Sequence, residues 1–176
     1  MGRTNKRVSL VGLGGFHLAK PGGPSADESE IRLGHTLIGG WRDRTLPMTK
    51  IDGRTAAAAT SQIDDSLRRM QTDHIDLLQI HEITRMDDPE RVFAQGGAME
   101  ALLRAREQGK IRYIGFTGHK SPAIHRHMFE VADQHGFHFD TVRMPLNVIV
   151  ARDGKTERYK ATTQFDGTTQ NPHWLG

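Results

Sequence analysis

Two residues that close apolar runs are candidates for shared chemistry. Lys50 ends the run Leu46-Pro47-Met48-Thr49 and is followed by a turn at Asp52-Gly53. His81 ends Ile75-Asp76-Leu77-Leu78-Gln79-Ile80 and is followed by Glu82. A lysine at the exit of a buried strand reads in one of two ways. It is a solvated strand end, or it is an ammonium aimed into a site at the C-terminal rim of a parallel sheet, where ligands of such folds sit. A histidine from the next strand end could face the same pocket. Further polar residues leave the later strands at Thr117-Gly118-His119-Lys120 and from Arg143 to Asn147.

Other patterns are less productive. Gly12-Leu13-Gly14-Gly15 follows an apolar stretch, yet the third glycine of a dinucleotide fingerprint would fall at His17. Pro21-Gly22-Gly23-Pro24 then forbids the helix that should follow, so the stretch reads as a glycine-rich strand exit. Five histidines lie between His119 and His138. His125 and His127 are two apart on a helix and point away from each other, and no spacing in the group resembles a metal site. They read as solvated helix faces, and no metal is expected.

The elements that must position Lys50 and His81 follow from periodicity and punctuation. Strands are expected at Val8 to Val11, Leu46 to Thr49, Ile75 to His81, Ile111 to Phe116 and Phe139 to Met144. Between them, Ser25 to Gly40 carries a modest helix signal with Leu33 and Leu37 on one face and Gly34 inside it. Thr55 caps a stronger helix lined by Ile63, Leu67 and Met70, with Asp64–Arg68 and Asp65–Arg69 spaced for i,i+4 ion pairs. A loop through Asp87, Asp88, Pro89 and Gly96-Gly97 precedes a helix carrying Met99, Leu102 and Leu103, which Gly109 ends. Ser121-Pro122 opens a helix lined by Ile124, Met128 and Val131, closed by Gly136. Alternating strands and helices imply βαβ units and a parallel sheet. Strand starts near 46, 75, 111 and 139 recur every 28 to 36 residues, and the interval from Val8 to Leu46 is 38, a single unit of that repeat. Residues 153–176 are rich in Thr, Gln, Lys and Gly without apolar periodicity and read as an irregular tail.

Bulk properties bound the function classes. At 176 residues the chain is one domain by length, with room for a core. The balance of 24 Lys+Arg against 21 Asp+Glu gives +3, with both signs interspersed, so a nucleic-acid partner is not expected. The absence of cysteine excludes disulfides, thiolate metal sites and iron–sulfur clusters. Mean hydropathy is −0.57 and no apolar run approaches a membrane span, so no membrane partner is expected either. The basic start Met1 to Arg7 leads into a stretch broken by glycines, a poor secretory signal, and a cytoplasmic location is the expectation.

The motifs around the two candidate residues resemble the aldo/keto reductase family. The matching segments are Met48-Thr49-Lys50-Ile51-Asp52-Gly53-Arg54, then Ser66-Leu67-Arg68-Arg69-Met70-Gln71-Thr72-Asp73-His74-Ile75-Asp76-Leu77 running to His81, then Gly109-Lys110-Ile111-Arg112-Tyr113-Ile114-Gly115-Phe116. Gly2-Arg3-Thr4 and Val8 to Gly15 look like that family's first strand. The resemblance implies a (β/α)8 barrel and NADPH-dependent reduction of an aldehyde or ketone. In the family a tyrosine protonates the carbonyl oxygen as hydride arrives. A lysine lowers that tyrosine's pKa, an aspartate pairs with the lysine, and a histidine orients the substrate. Lys50 matches the lysine and His81 the histidine.

The aspartate and tyrosine have no counterpart. In the family both follow the second strand, ahead of the threonine–lysine strand. Here no tyrosine lies between Gly15 and Lys50, and Asp27 and Asp43 follow no strand. Ser29 to Gly34 resembles what comes after the family's tyrosine, so the gap closes just before it. Where relatives hold the nicotinamide amide with Ser-Asn and Gln, this chain has Thr117-Gly118 and Arg143, the candidate cofactor-binding residues. The seventh and eighth strands have no counterpart, and the tail after Asp153 does not resemble the family.

The expectation is therefore an incomplete (β/α)8 barrel over residues 1–152, of about five parallel strands, with the tail at 153–176. Activity is expected to be impaired or absent and NADPH binding weakened, with a small carbonyl compound as substrate if active. Open sheet edges invite self-association. The alternatives are a non-catalytic interaction protein and a truncated or mis-read gene product.

Overall fold

The computed structural model describes residues 4, 6–9, 12 and 25–144. Helix α1 (Ser25–Thr36) leads through a short 3-10 turn at Arg42–Arg44 to strand β1 (Met48–Ile51). There follow α2 (Ala56–Met70), β2 (Ile75–Ile80), α3 (Asp88–Phe93), α4 (Ala98–Glu107), β3 (Ile111–Thr117), α5 (Pro122–Gln134) and β4 (Thr141–Arg143). The four strands form one parallel sheet in the order β1-β2-β3-β4.

Because strand side chains alternate between faces, one face of this sheet is apolar and packs under the helices. Ile51, Leu78, Ile80, Ile114 and Phe116 join Ala59, Ile63, Leu102 and Met128 in a single core. The last turns of the sheet are filled by aromatic pairs, with Phe116 to Phe139 at 4.9 Å and Phe137 to Phe139 at 5.0 Å between ring centroids. The opposite face carries rows of register partners: Met48, Leu77 and Tyr113, then Lys50, Gln79, Gly115 and Thr141. That second row belongs to the site.

The local signals are realised where chain chemistry alone decides them. The Thr55 hydroxyl accepts from the Ala58 N–H and Ser121 does the same for Ala123, with Pro122 in the first turn. Gly109 and Gly136 adopt positive φ at helix ends. Gly34 has a reason to be glycine inside α1: a β-carbon there would lie 2.7 Å from the Arg69 carbonyl oxygen and 2.8 Å from Met70 carbonyl carbon. The two helices touch backbone to backbone at this point.

Several expectations are corrected. Among the described residues four strands are present where about five were expected: Val8 and Ser9 are not in a strand, and Leu10 and Val11 lie outside the described residues, as does the tail at 153–176. The loop after Asp87 contains a helical turn, α3, with Pro89 near its start. The ion pairs of α2 do not form at i,i+4. Arg68 pairs with Asp65, Asp64 takes Lys110 at 2.7 Å, and Arg69 turns to Glu30 of α1 at 2.7 Å and Asp27 at 3.2 Å. The half-buried Arg69 finds in Glu30 a nearly buried carboxylate that also accepts from Thr49 (2.6 Å) and Ser66 (2.8 Å), an arrangement worth more than a solvated pair. His125 is not on a solvated face; it is fully buried beside Phe116. No helix among the described residues is long and apolar enough to cross a membrane.

Candidate active site

The site is assembled at the exits of β1, β2 and β3. Lys50 is the third residue of β1 and shares a row with Gln79 of β2. The chain then leaves β1 through Asp52 and Gly53, whose N–H groups both donate to Gln62 Oε1 of α2, at 3.0 and 2.8 Å. A β-carbon at Gly53 would meet the Ala58 and Ala59 backbone at 2.9 Å, so this loop lies flat against the first turn of α2. The chain's exit from β1, two residues after Lys50, is thus pinned to the helix that follows.

Arg54 ties the first exit to the second. Its guanidinium donates to the carbonyls of Asp52 (3.0 Å), His81 (2.7 Å) and Glu82 (3.0 Å), and its Nε faces the buried Asp88 carboxylate at 3.5 Å. Asp88 in turn accepts from the N–H groups of Thr84 and Arg85 at 3.0 and 2.9 Å. A planar guanidinium satisfying three loop carbonyls is a role lysine could not fill. Sequence reading quoted Arg54 as part of a motif without giving it a task. The signal that could have found it is its place directly after the Asp52-Gly53 turn at a strand exit.

His81 leaves β2 with Nδ1 donating to Asp52 Oδ1 at 2.9 Å. Asp52 also bears on Lys50. Burial pushes the Lys50 ammonium below the ordinary lysine range, the Arg143 guanidinium adds to that shift, and Asp52 opposes both. Lysine, aspartate and histidine thus share one electrostatic neighbourhood at the rim. Glu82 follows with φ 51°, the left-handed region, and its N–H donates to Thr117 Oγ1 at 2.9 Å.

Thr117 and Gly118 end β3. Thr117 is wholly buried, and its carbonyl also accepts from the Ile83 N–H at 2.7 Å. The Gly118 N–H donates to the Arg143 carbonyl at 3.1 Å, and a β-carbon on Gly118 would fall 2.0 Å from His125 Nε2. Both residues therefore hold loops together, and neither side of that arrangement presents a side chain to a nicotinamide. Arg143, at the end of β4, is exposed. With the Thr117 hydroxyl taken up by the Glu82 N–H and Arg143 adding positive charge near Lys50, the described residues do not present a fitted nicotinamide site.

The structure thus brings Lys50 and His81 onto neighbouring strands and Arg143 within electrostatic reach of Lys50. Among the described residues it brings no phenol to them. Tyr113, the one tyrosine among the described residues, stands in the row of Met48 and Leu77. That row is two residues, about 6–7 Å, further from the strand exits than the row of Lys50. His119, in the loop after β3, lies edge-on to His81 with ring centroids 6.3 Å apart.

Known proteins point one way. The aldo/keto reductase family profile matches residues 24–164. L-galactose dehydrogenase of Arabidopsis thaliana is 27% identical over 153 residues, 67% of this chain and 47% of that protein. An aldo-keto reductase from Bacillus halodurans in its apo form superposes with a TM-score of 0.51 at 27% identity, covering 68% of this chain and 37% of that one. An aldo/keto reductase from Brucella melitensis gives 0.54 at 20% identity over 66% and 44%, a likeness of fold alone. The chain spans less than half the length of these relatives, and its sheet is part of their barrel.

Proposed function

This chain belongs to the aldo/keto reductase family, and on that premise we propose that it carries the lysine–histidine half of the family's carbonyl-reductase site without the acid that would complete it. One observation carries the reading. Lys50, Asp52 and His81 converge at the strand exits, while the tyrosine that such a lysine would activate is absent from residues 15–50 and Tyr113 lies a row away.

Among the described residues no phenol stands at the rim to protonate a carbonyl oxygen as hydride arrives. Losing a positioned acid costs about 10²–10⁴ in rate. Lys50 then has no proton donor to tune, and His81 alone can orient a carbonyl oxygen but not complete the reaction. NADPH is the cofactor the family implies. Weak binding follows from Thr117 and Gly118 being used to tie loops. The chain by itself is a reductase-type domain with little or no turnover of small aldehydes or ketones.

The test is NADPH consumption with a panel of aldehydes, wild type beside Lys50→Met. Equal, background-level rates are expected. A wild-type rate well above background that Lys50→Met abolishes would overturn the proposal. Self-association belongs to the same reading, because β1 and β4 each pair on one side only among the described strands and Met48 on β1 is 45% exposed. Sedimentation velocity over a concentration series should show a growing heavier species; a constant monomer would remove this part.

A further inference from the structure

We propose that His81, Glu82 and His119 form a binding site for a first-row divalent transition-metal ion, with Zn²⁺ as the reference ion. One ligand atom from each of the three lies within 4.8 Å of those of the other two. Around an ion with bonds of about 2.0–2.2 Å, ligand atoms stand about 3–3.5 Å apart. Closing the remaining gap takes about an ångström of side-chain movement, within the freedom of exposed side chains on such bonds.

Three features of the fold favour a site over a chance cluster. The first is the outer partner of His81. Asp52 accepts from Nδ1 at 2.9 Å, which fixes the ring and leaves Nε2 as the donor atom. A carboxylate on the far nitrogen is the usual companion of a metal-bound imidazole.

The second is the backbone of Glu82. In an extended strand, successive side chains point to opposite faces. The left-handed φ of 51° at Glu82 breaks that alternation, and its Oε1 comes 3.9 Å from His81 Nε2. A non-glycine residue held in this region marks a site where local strain is maintained by its surroundings. Here those surroundings are the Thr117 hydroxyl on the Glu82 N–H and the Arg54 guanidinium on its carbonyl.

The third is the rigidity of the frame. His81 and Glu82 follow β2 and His119 follows the adjacent β3, and the two exits are joined by the Ile83 N–H to Thr117 carbonyl bond of 2.7 Å. The side chains themselves stay accessible, at 30% for His81 and 56% for Glu82, so an ion can enter and keep bound water. Two imidazoles and one carboxylate are borderline donors that select Zn²⁺, Co²⁺ or Ni²⁺ over Mg²⁺ or Ca²⁺.

This inference does not rest on the reductase reading, and its readout needs no cofactor. The untagged chain is stripped of metal with a chelator, dialysed into metal-free buffer and titrated calorimetrically with Zn²⁺, beside His119→Ala, Glu82→Gln and, as a control away from the cluster, His138→Ala. Wild type and His138→Ala are expected to bind one ion alike, His119→Ala and Glu82→Gln to bind at least about tenfold more weakly, and Mg²⁺ to give no heat. Co²⁺ should give a visible ligand-field band in wild type that His119→Ala loses. A wild type that takes up no Zn²⁺, or uptake that neither His119→Ala nor Glu82→Gln changes, would overturn the site.

Discussion

Gly115 and Thr141 are register partners on β3 and β4 with no room for a β-carbon between them. One placed on Gly115 would sit 2.2 Å from Thr141 Oγ1 and 2.6 Å from its carbonyl oxygen. The space so kept is crossed by the Gln79 side chain, whose Nε2 donates to Thr141 Oγ1 at 3.2 Å. This one bond ties β2 to β4 across β3, in the row that also holds Lys50. Gly115→Ala should therefore cost about 1–3 kcal/mol, because the obstacle is partly backbone and cannot rotate away. Urea unfolding reads the loss, and amide exchange should speed up first at β4. A variant as stable as wild type would show that β4 shifts freely.

Arg54 is the strut between the exits of β1 and β2, and Asp88 beneath it is 3% exposed. Arg54→Met should destabilise the fold on the order of 3 kcal/mol by leaving the buried Asp88 carboxylate only the more distant, exposed Arg91 at 3.8 Å as its cation and three loop carbonyls without their donor. Pairing it with Asp88→Leu should recover part of that loss, and a double-mutant cycle on urea midpoints measures how much.

The lowered pKa of Lys50 makes a signed prediction. Its native value lies below 10.5, so the unfolded chain binds this proton more tightly than the folded one. The charge on Lys50 is then a penalty at neutral pH that is relieved as pH rises from the lowered native value towards 10.5. Lys50→Met should raise the melting temperature at pH 7, and the gain should shrink as pH 10.5 is approached. A gain that is constant with pH would assign it to packing.

His125 runs on a lower scale. Burial, with the His119 imidazole adding, lowers it from 6.5 to about 4. Between those values the folded chain keeps His125 neutral while the unfolded chain protonates, so stability falls as pH drops from 6.5 to about 4 and this contribution is then exhausted. The share of this one group is about 3 kcal/mol. His125→Gln should be less stable than wild type at pH 7.5, and the difference should narrow by pH 4. Parallel urea titrations at the two pH values check it.

What the chain specified by itself is what short-range physics controls. Thr55 and Ser121 cap their helices because a hydroxyl reaches an N–H two or three residues on, and Gly109 and Gly136 turn because they lack a β-carbon. The alternation of apolar runs and amphipathic segments was enough for a parallel α/β sheet, and Lys50 and His81 were legible because motif and strand end coincide. Which side chains meet was left to the tertiary structure. Arg69 leaves Asp65 for Glu30, 39 residues away, because a carboxylate shielded from water holds a guanidinium better than a solvated one. His125 is buried because α5 turns it toward Gly118, which has no side chain to exclude it. His119 meets His81 and Glu82 only because β3 lies beside β2 in register, and helical spacing within the histidine-rich stretch carried no trace of it.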